Sequence, residues 1–229
     1  MISVKNIVKT YTTGAETLVA LDTISLEITA GEFTAIMGPS GSGKSTLMNI
    51  LGLLDRFDSG TYLLNGQNVS DLKDNESARV RNKEIGFIFQ SFNLMPRMSV
   101  LENVELPLVY AGVKAKERKE RALRALERVG LSDRVKHKPN EISGGQKQRV
   151  AIARAIVNEP SVLMADEPTG NLDSKTTVDI MRIFQELNDE GTTVVMVTHE
   201  PEVALYTKRI LTFRDGALVD DQPQQQKLV

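Results

Sequence analysis

Gly38-Pro39-Ser40-Gly41-Ser42-Gly43-Lys44-Ser45 is the stretch on which the reading of this chain turns. It has the spacing G-x-x-x-x-G-K-[ST]. A strand-like apolar run, Phe33-Thr34-Ala35-Ile36-Met37, precedes it, and a helix-like run, Thr46-Leu47-Met48-Asn49-Ile50-Leu51, follows. Strand, glycine-rich turn and helix start, in that order, make a phosphate cradle. The glycines let backbone N–H groups turn inward around an anion, and the helix N-terminus adds its positive dipole end. Lys44 can then reach β- and γ-phosphates, and the Ser45 hydroxyl can ligate Mg²⁺. Taken alone, the eight residues would also suit a plain Gly/Ser turn; the flanking elements and the motifs downstream argue for the phosphate.

Two further constellations support it. Asp166-Glu167 closes the apolar run Val162-Leu163-Met164-Ala165, and ligands of open α/β sheets gather beyond the carboxyl ends of such strands. An Asp there can hold Mg²⁺, and the adjacent Glu can polarise a water for in-line attack on a γ-phosphate. Ser143-Gly144-Gly145-Gln146 precedes a patterned helix, Val150 to Val157. The S-x-x-Q spacing is a capping box, yet two glycines in a first helical turn cost roughly 1 kcal/mol each relative to alanine. Close approach of backbone to a phosphate accounts for them, which makes this a second anion site.

The 229 residues, 41% apolar and 25% charged, suit a globular chain with a substantial core. The net charge of −2, without a basic block, speaks against nucleic acid as a partner. Cysteine is absent, which excludes disulfides and thiolate metal sites. The N-terminal segment is not a signal peptide, and no run approaches the ~18–20 apolar residues of a membrane span. A cytoplasmic chain that reaches a membrane only through a partner is expected.

Strand-like alternation in residues 2 to 28, with a turn near Thr13-Gly14, predicts an antiparallel sheet ahead of the loop. Thr61 to Val69, turning at Asn65-Gly66, reads as a type I′ hairpin. Residues 98 to 138 read as mainly helical, with Leu123, Leu126 and Val129 as the apolar stripe of a charged, solvated helix. The all-apolar runs Val162 to Ala165 and Thr193 to Val197, separated by a helical stretch from Ser174 to Glu190, predict parallel strands buried on both faces. A closing hairpin turns at Asp215-Gly216, and the polar residues 222–229 are expected to fray. The fold class is therefore α/β: one domain over 1–229, with a mainly parallel core and an antiparallel β lobe in 1–90 and 160–221, and a helical lobe over about 91–158.

The order of these motifs resembles that of the ATP-binding cassette (ABC) ATPases along nearly the whole chain. Gly38 to Ser45 matches Walker A, Ile142 to Gln146 the signature, and Val162 to Glu167 Walker B. Gln90 matches the Q-loop glutamine, Asn171-Leu172-Asp173 the D-loop and His199 the switch histidine. Tyr11 falls where the family places an aromatic against adenine. Ile142 stands where leucine is usual, a volume-conserving change. The resemblance implies ATP and Mg²⁺ as ligands, with Tyr11, residues 38 to 46 (Thr46 included), Ser143, Gly144, Gly145, Gln146 and Asp173 around the nucleotide. It implies Ser45, Gln90 and Asp166 at the metal, and Glu167, His199, Gln90 and Lys44 in the chemistry. It also implies a head-to-tail homodimer in which one chain's signature completes the other's Walker A site. His137 matches no motif and reads as a surface residue.

Gln90 to Pro96, Glu102 to Leu108 and the run DEPTGNLDS (Asp166 to Ser174) resemble the macrolide-exporter and lipoprotein-release group, the MacB/LolD type. That likeness implies a separate MacB/LolC/FtsX-like permease with a large extracytoplasmic domain, with room for a periplasmic or extracellular adaptor, driven by dimer closure from the inner face of the cell membrane. An FtsE-like regulator of cell-wall hydrolysis shares the same ATPase chemistry and stays open, as does, with less support, a soluble ABC ATPase. Cargo is not legible.

Overall fold

The computed structural model describes residues 1–229 except Ala15 and, in the first strand, the side chain of Thr13. Two sheets organise it. Four antiparallel strands run in the order β2-β1-β4-β5, from β1 (Ile2–Thr13), β2 (Glu16–Ile28), β4 (Ser59–Leu64) and β5 (Gln67–Asn68). The second sheet has the order β10-β9-β3-β8-β7-β6, from β3 (Phe33–Met37), β6 (Ile85–Phe89), β7 (Val162–Asp166), β8 (Thr193–Val197), β9 (Arg209–Arg214) and β10 (Ala217–Pro223). All its pairings are parallel except the β9–β10 hairpin. The expected α/β architecture is thus observed.

Among the described residues there are seven α-helices, α1 (Lys44–Leu51), α2 (Asp74–Glu84), α3 (Val100–Tyr110), α4 (Ala115–Arg128), α5 (Gly144–Ile156), α6 (Ser174–Asp189) and α7 (Pro201–Ala204), and a 3-10 turn at Pro139–Glu141. The six-stranded sheet is buried on both faces, and its strand period of two sorts the core into two clusters. Leu163, Ala165, Val194 and Met196 face the cluster built by α3 to α6. Val162, Met164, Val195 and Val197 face the cluster holding α1 and the antiparallel sheet. This is why both runs are apolar at every position.

The Asn65-Gly66 turn has positive φ at both residues (52° and 76°), the requirement of the expected type I′ hairpin. Strands β1 and β2 flank the expected turn at Thr13-Gly14, next to Ala15, which lies outside the described residues. Two sequence expectations need correction. In α4 the buried face is Ala122, Ala125, Leu126 and Val129, an i, i+3, i+4, i+7 stripe, while Leu123 lies off it and is 37% exposed. The two alanines let the helix lie close, so size alone misdirected the reading. The expected frayed tail at 222–229 is instead docked. Strand β10 continues through Pro223, and Gln224 N and Lys227 N donate to Lys208 O (2.9 Å) and Leu205 O (2.8 Å). The Gln185 amide also donates to Lys227 O at 2.7 Å. Polar composition did not reveal these backbone partners.

Candidate nucleotide site

The loop between β3 and α1 sits at the carboxyl edge of the parallel sheet because it leaves the C-terminal end of β3, a strand flanked by β8 and β9. Its shape depends on glycine at two points. Gly38 (φ 149°) would place a Cβ 2.1 Å from Phe213 O, and Gly43 (φ 96°) would place one 2.5 Å from Ala20 O. A side chain at either would collide with neighbouring backbone in a conformation that L residues rarely adopt. The β9–β10 turn braces the loop from outside, with Gly216 N donating to Ser42 O at 3.2 Å.

Helix α1 begins at Gly43 without any side-chain cap, so its first-turn amides are left for a ligand. The Lys44 ammonium is nearly buried and donates to Gly38 O (2.9 Å) and Pro39 O (2.8 Å), which holds its charge inside the loop. Ser42 Oγ is buried with no hydrogen-bond partner. A buried hydroxyl is rarely left so; it lies beside Gly38, where a Cβ would stand 2.7 Å from it.

A cavity of about 870 Å³ opens over this loop, lined by Gly38 to Thr46, Tyr11, Glu167, His199 and a wall of Leu18, Val19, Ala20, Met37, Val197 and Thr212. Glu167 follows β7 in a left-handed conformation (φ 45°), held by its N–H to Val197 O at 2.9 Å. Its Oε1 lies 2.8 Å from His199 Nδ1, so the ends of β7 and β8 bring two sequence-predicted residues into contact. A non-glycine residue in this conformation is a strain that tends to mark functional positions. Asp166, half-buried one residue earlier, has its pKa raised, first by burial and then by the Glu167 charge, against the lowering effect of Lys44.

Tyr11 Oη donates to Asp55 Oδ2 at 2.8 Å, and Lys9 Nζ stands 4.9 Å from the Tyr11 ring centre. Burial raises the Tyr11 pKa and the Asp55 hydrogen bond adds to it. The ring is thereby fixed at the mouth, 38% exposed. Composition showed nothing of Lys9, Asp55 or the Leu18-Val19 wall; exposed apolar residues on an edge strand were the one available signal.

The other predicted residues lie outside the cavity lining. Gln90 directly follows β6, with Asn171 Nδ2 donating to its carbonyl at 3.0 Å. Ser143, Gly144, Gly145 and Gln146 open α5 and form the capping box: Gln146 N donates to Ser143 Oγ (3.3 Å) and Ser143 N to Gln146 Oε1 (2.9 Å). Gly145 has a reason internal to the chain, because a Cβ there would lie 2.5 Å from Thr176 Cγ2. Asp173 caps α6, accepting from Thr176 N (3.0 Å) and Thr176 Oγ1 (2.6 Å), and those bonds lower its pKa. Among the described residues no three carboxylate or imidazole groups gather as a metal site. A divalent cation would therefore need phosphate oxygens as well as Asp166 and the Ser45 hydroxyl, a mode that suits Mg²⁺.

The ABC transporter family model matches residues 21–170. The chain is 61% identical over 219 residues to the ABC transporter ATP-binding protein YknY of Bacillus subtilis, covering 96% of this chain and 95% of that one. It is 52% identical over 225 residues to the macrolide export ATP-binding/permease protein MacB of Chlorobaculum tepidum, covering 98% of this chain but 34% of that longer protein. A dimeric post-hydrolysis structure of the ATP-binding cassette MJ0796, bound to ADP and Pi, superposes with a TM-score of 0.91 at 45% identity, covering 99% of this chain and all of that one. No helix of the described residues is long and apolar enough to cross a membrane.

Proposed function

Because this chain belongs to the ABC transporter family and is an ATP-hydrolysing, ATP-binding subunit of a transporter, we propose that it drives a separate permease of the MacB/LolC/FtsX kind through ATP-driven closure of a homodimer. The observation that carries this reading is the division of the motifs. Residues 38 to 46, Glu167 and His199 share one cavity, while Ser143 to Gln146 lie outside it. A second chain packed head to tail would bring the missing signature to each site. The dimeric MJ0796 cassettes and the fused ATP-binding/permease relatives support this assembly.

In this reading Lys44 and the loop amides hold the β- and γ-phosphates, and the partner chain's signature hydroxyl and amides neutralise the far side. Mg²⁺, held by Ser45, Asp166 and phosphate oxygens, with Gln90 approaching on closure, would offset charge on the transferring phosphoryl group. Glu167 orients and polarises the attacking water. In the present geometry it is engaged by His199 Nδ1; parting of this pair frees the carboxylate for water and the imidazole for the γ-phosphate. Tyr11 stacks on the base. Asp173 reaches the site across the dimer.

Closure draws on differential affinity of ATP for the closed state and moves the permease. The cassette then works at the cytoplasmic face of the membrane, and the likeness to macrolide-export proteins favours export or mechanical transmission to an extracytoplasmic domain. The test is Glu167→Gln held in ATP and Mg²⁺, with light scattering for the dimer and a pull-down from detergent-solubilised native membranes. A stable dimer with a few-span membrane protein bearing a large extracytoplasmic domain supports the reading. A cell-wall-hydrolase regulator among the partners would favour the FtsE-like role, and rapid turnover by the variant would overturn the assignment of Glu167.

A further inference from the structure

We propose that Arg154 is a positioning residue for Gln90: its guanidinium clamps the backbone of Phe92 and Asn93 and thereby ties the helix that starts at the signature turn to the Gln90 segment. This rests on the part in turnover given above to Gln90.

Arg154 lies in α5, the helix opened by Ser143. Its Nη2 donates to Phe92 O at 2.8 Å and its Nη1 to Asn93 O at 2.6 Å, so one fork spans two consecutive carbonyls. Both residues have left-handed backbone, with φ of 60° at Phe92 and 47° at Asn93. A side-chain-bearing residue adopts that region only when its surroundings impose it, and an aromatic one least readily. The fork supplies the constraint, since it bonds to both carbonyls at once and its rigid planar donors set their spacing. Burial lowers the Arg154 pKa, and no carboxylate charge opposes that effect. The charge is therefore kept in a desolvated place to serve backbone carbonyls alone, which is costly unless the bonds have a use.

The same short segment is gripped from the opposite side. Asn171 Nδ2 donates to Gln90 O at 3.0 Å, and Gly170 leaves room for the Gln90 amide, whose Nε2 would lie 2.7 Å from a Cβ at that position. Residues 90 to 93 thus bridge the end of the Asp166-Glu167 strand and the signature helix. A shift of α5 is delivered to the Gln90 carboxamide through two hydrogen bonds instead of a loose loop.

The experiment uses the full chain with Arg154→Met, Arg154→Lys and Arg154→Met combined with Asn93→Gly. Without nucleotide, hydrogen exchange at amides 90–94 should quicken by about tenfold in Arg154→Met as the clamp is lost. In steady state kcat should fall roughly tenfold with KM for ATP within about twofold, the pattern of a misplaced group in a bound complex. Adding Asn93→Gly, which eases the left-handed turn, should recover part of kcat. A merely structural role would lower the melting temperature but would not give that rescue. If Arg154→Met does not fold, Arg154→Lys reads the same point, because a shorter side chain with a rotatable ammonium does not fix the spacing of the Phe92 and Asn93 carbonyls as the planar fork does. Wild-type exchange and wild-type kcat in either variant would overturn the clamp. The exchange measurement needs no catalysis, so its failure is distinguishable from a failure of the Glu167→Gln test.

Discussion

Two glycine-rich helix starts in this chain treat their amides in opposite ways. At Gly43 the helix has no side-chain cap, an ammonium sits inside the turn, and Ser42 Oγ is buried without a partner. At Ser143 the helix carries a capping box made by its own Ser143–Gln146 pair, and its second glycine packs against Thr176. The first is organised for an anion within a single chain. The second has its Ser143 and Gln146 amides satisfied by its own chain and keeps the Gly144 and Gly145 amides and the Ser143 hydroxyl proton to offer. An anion site built in one chain and an anion site that waits for an encounter need different local chemistry, and the capping box keeps the waiting one folded.

The largest expected effect breaks the first site. Lys44→Ala should weaken ATP binding by about 100-fold, since a desolvated charge-assisted contact to phosphate is lost; titration calorimetry measures it, and an affinity within threefold of wild type would show that the amides suffice. Next comes Gly145→Ala, where overpacking against Thr176, worth about 1–3 kcal/mol, outweighs the roughly 1 kcal/mol gained in helix propensity, for a net loss of about 1 kcal/mol read by denaturant unfolding. Combining it with Thr176→Ala should restore stability. If turnover returns as well, the glycine serves packing within the chain; if turnover stays low, it also serves the partner's nucleotide.

Ser143→Ala should cost about 1 kcal/mol from the lost cap and slow turnover more than its stability loss explains. A rate that follows stability alone would reduce the signature to a cap. The smallest effect on stability concerns Asp166. Its folded pKa is raised, so its contribution to stability is present below the unfolded pKa and lost as pH rises through the folded value. Asp166→Asn should therefore raise the melting temperature slightly at pH 7 and leave it nearly unchanged at pH 3, while turnover is lost. A lower melting temperature at pH 7 would mean that the carboxylate stabilises this site.

Much of this was legible in the chain because the signals are local. Gly38 to Ser45 carries its own geometry, Asn65-Gly66 specifies a turn, and runs such as Thr193 to Val197 have one reading as strands buried on both faces. Leu123 and the tail misled because helix phase and chain docking depend on neighbours distant in sequence. The same holds for Ala122 and Ala125, small residues whose burial follows from close approach of α3 and α5. Helix α2, with no buried residue, gave the apolar pattern nothing to detect.

The sequence by itself determined the phosphate loop, the acidic strand end, the capped glycine turn and the identity of the family, because each lies in a few contiguous residues with a definite local chemistry. Only the tertiary structure decided that Glu167 meets His199, that Asp55 and Lys9 fix Tyr11, that Arg154 grips Phe92 and Asn93, and that the signature stands away from the cavity of its own chain. Those facts depend on strand order and helix packing, which bring together even residues 182 positions apart. Such contacts arise from burying both faces of one sheet, and no short stretch of sequence contains that information.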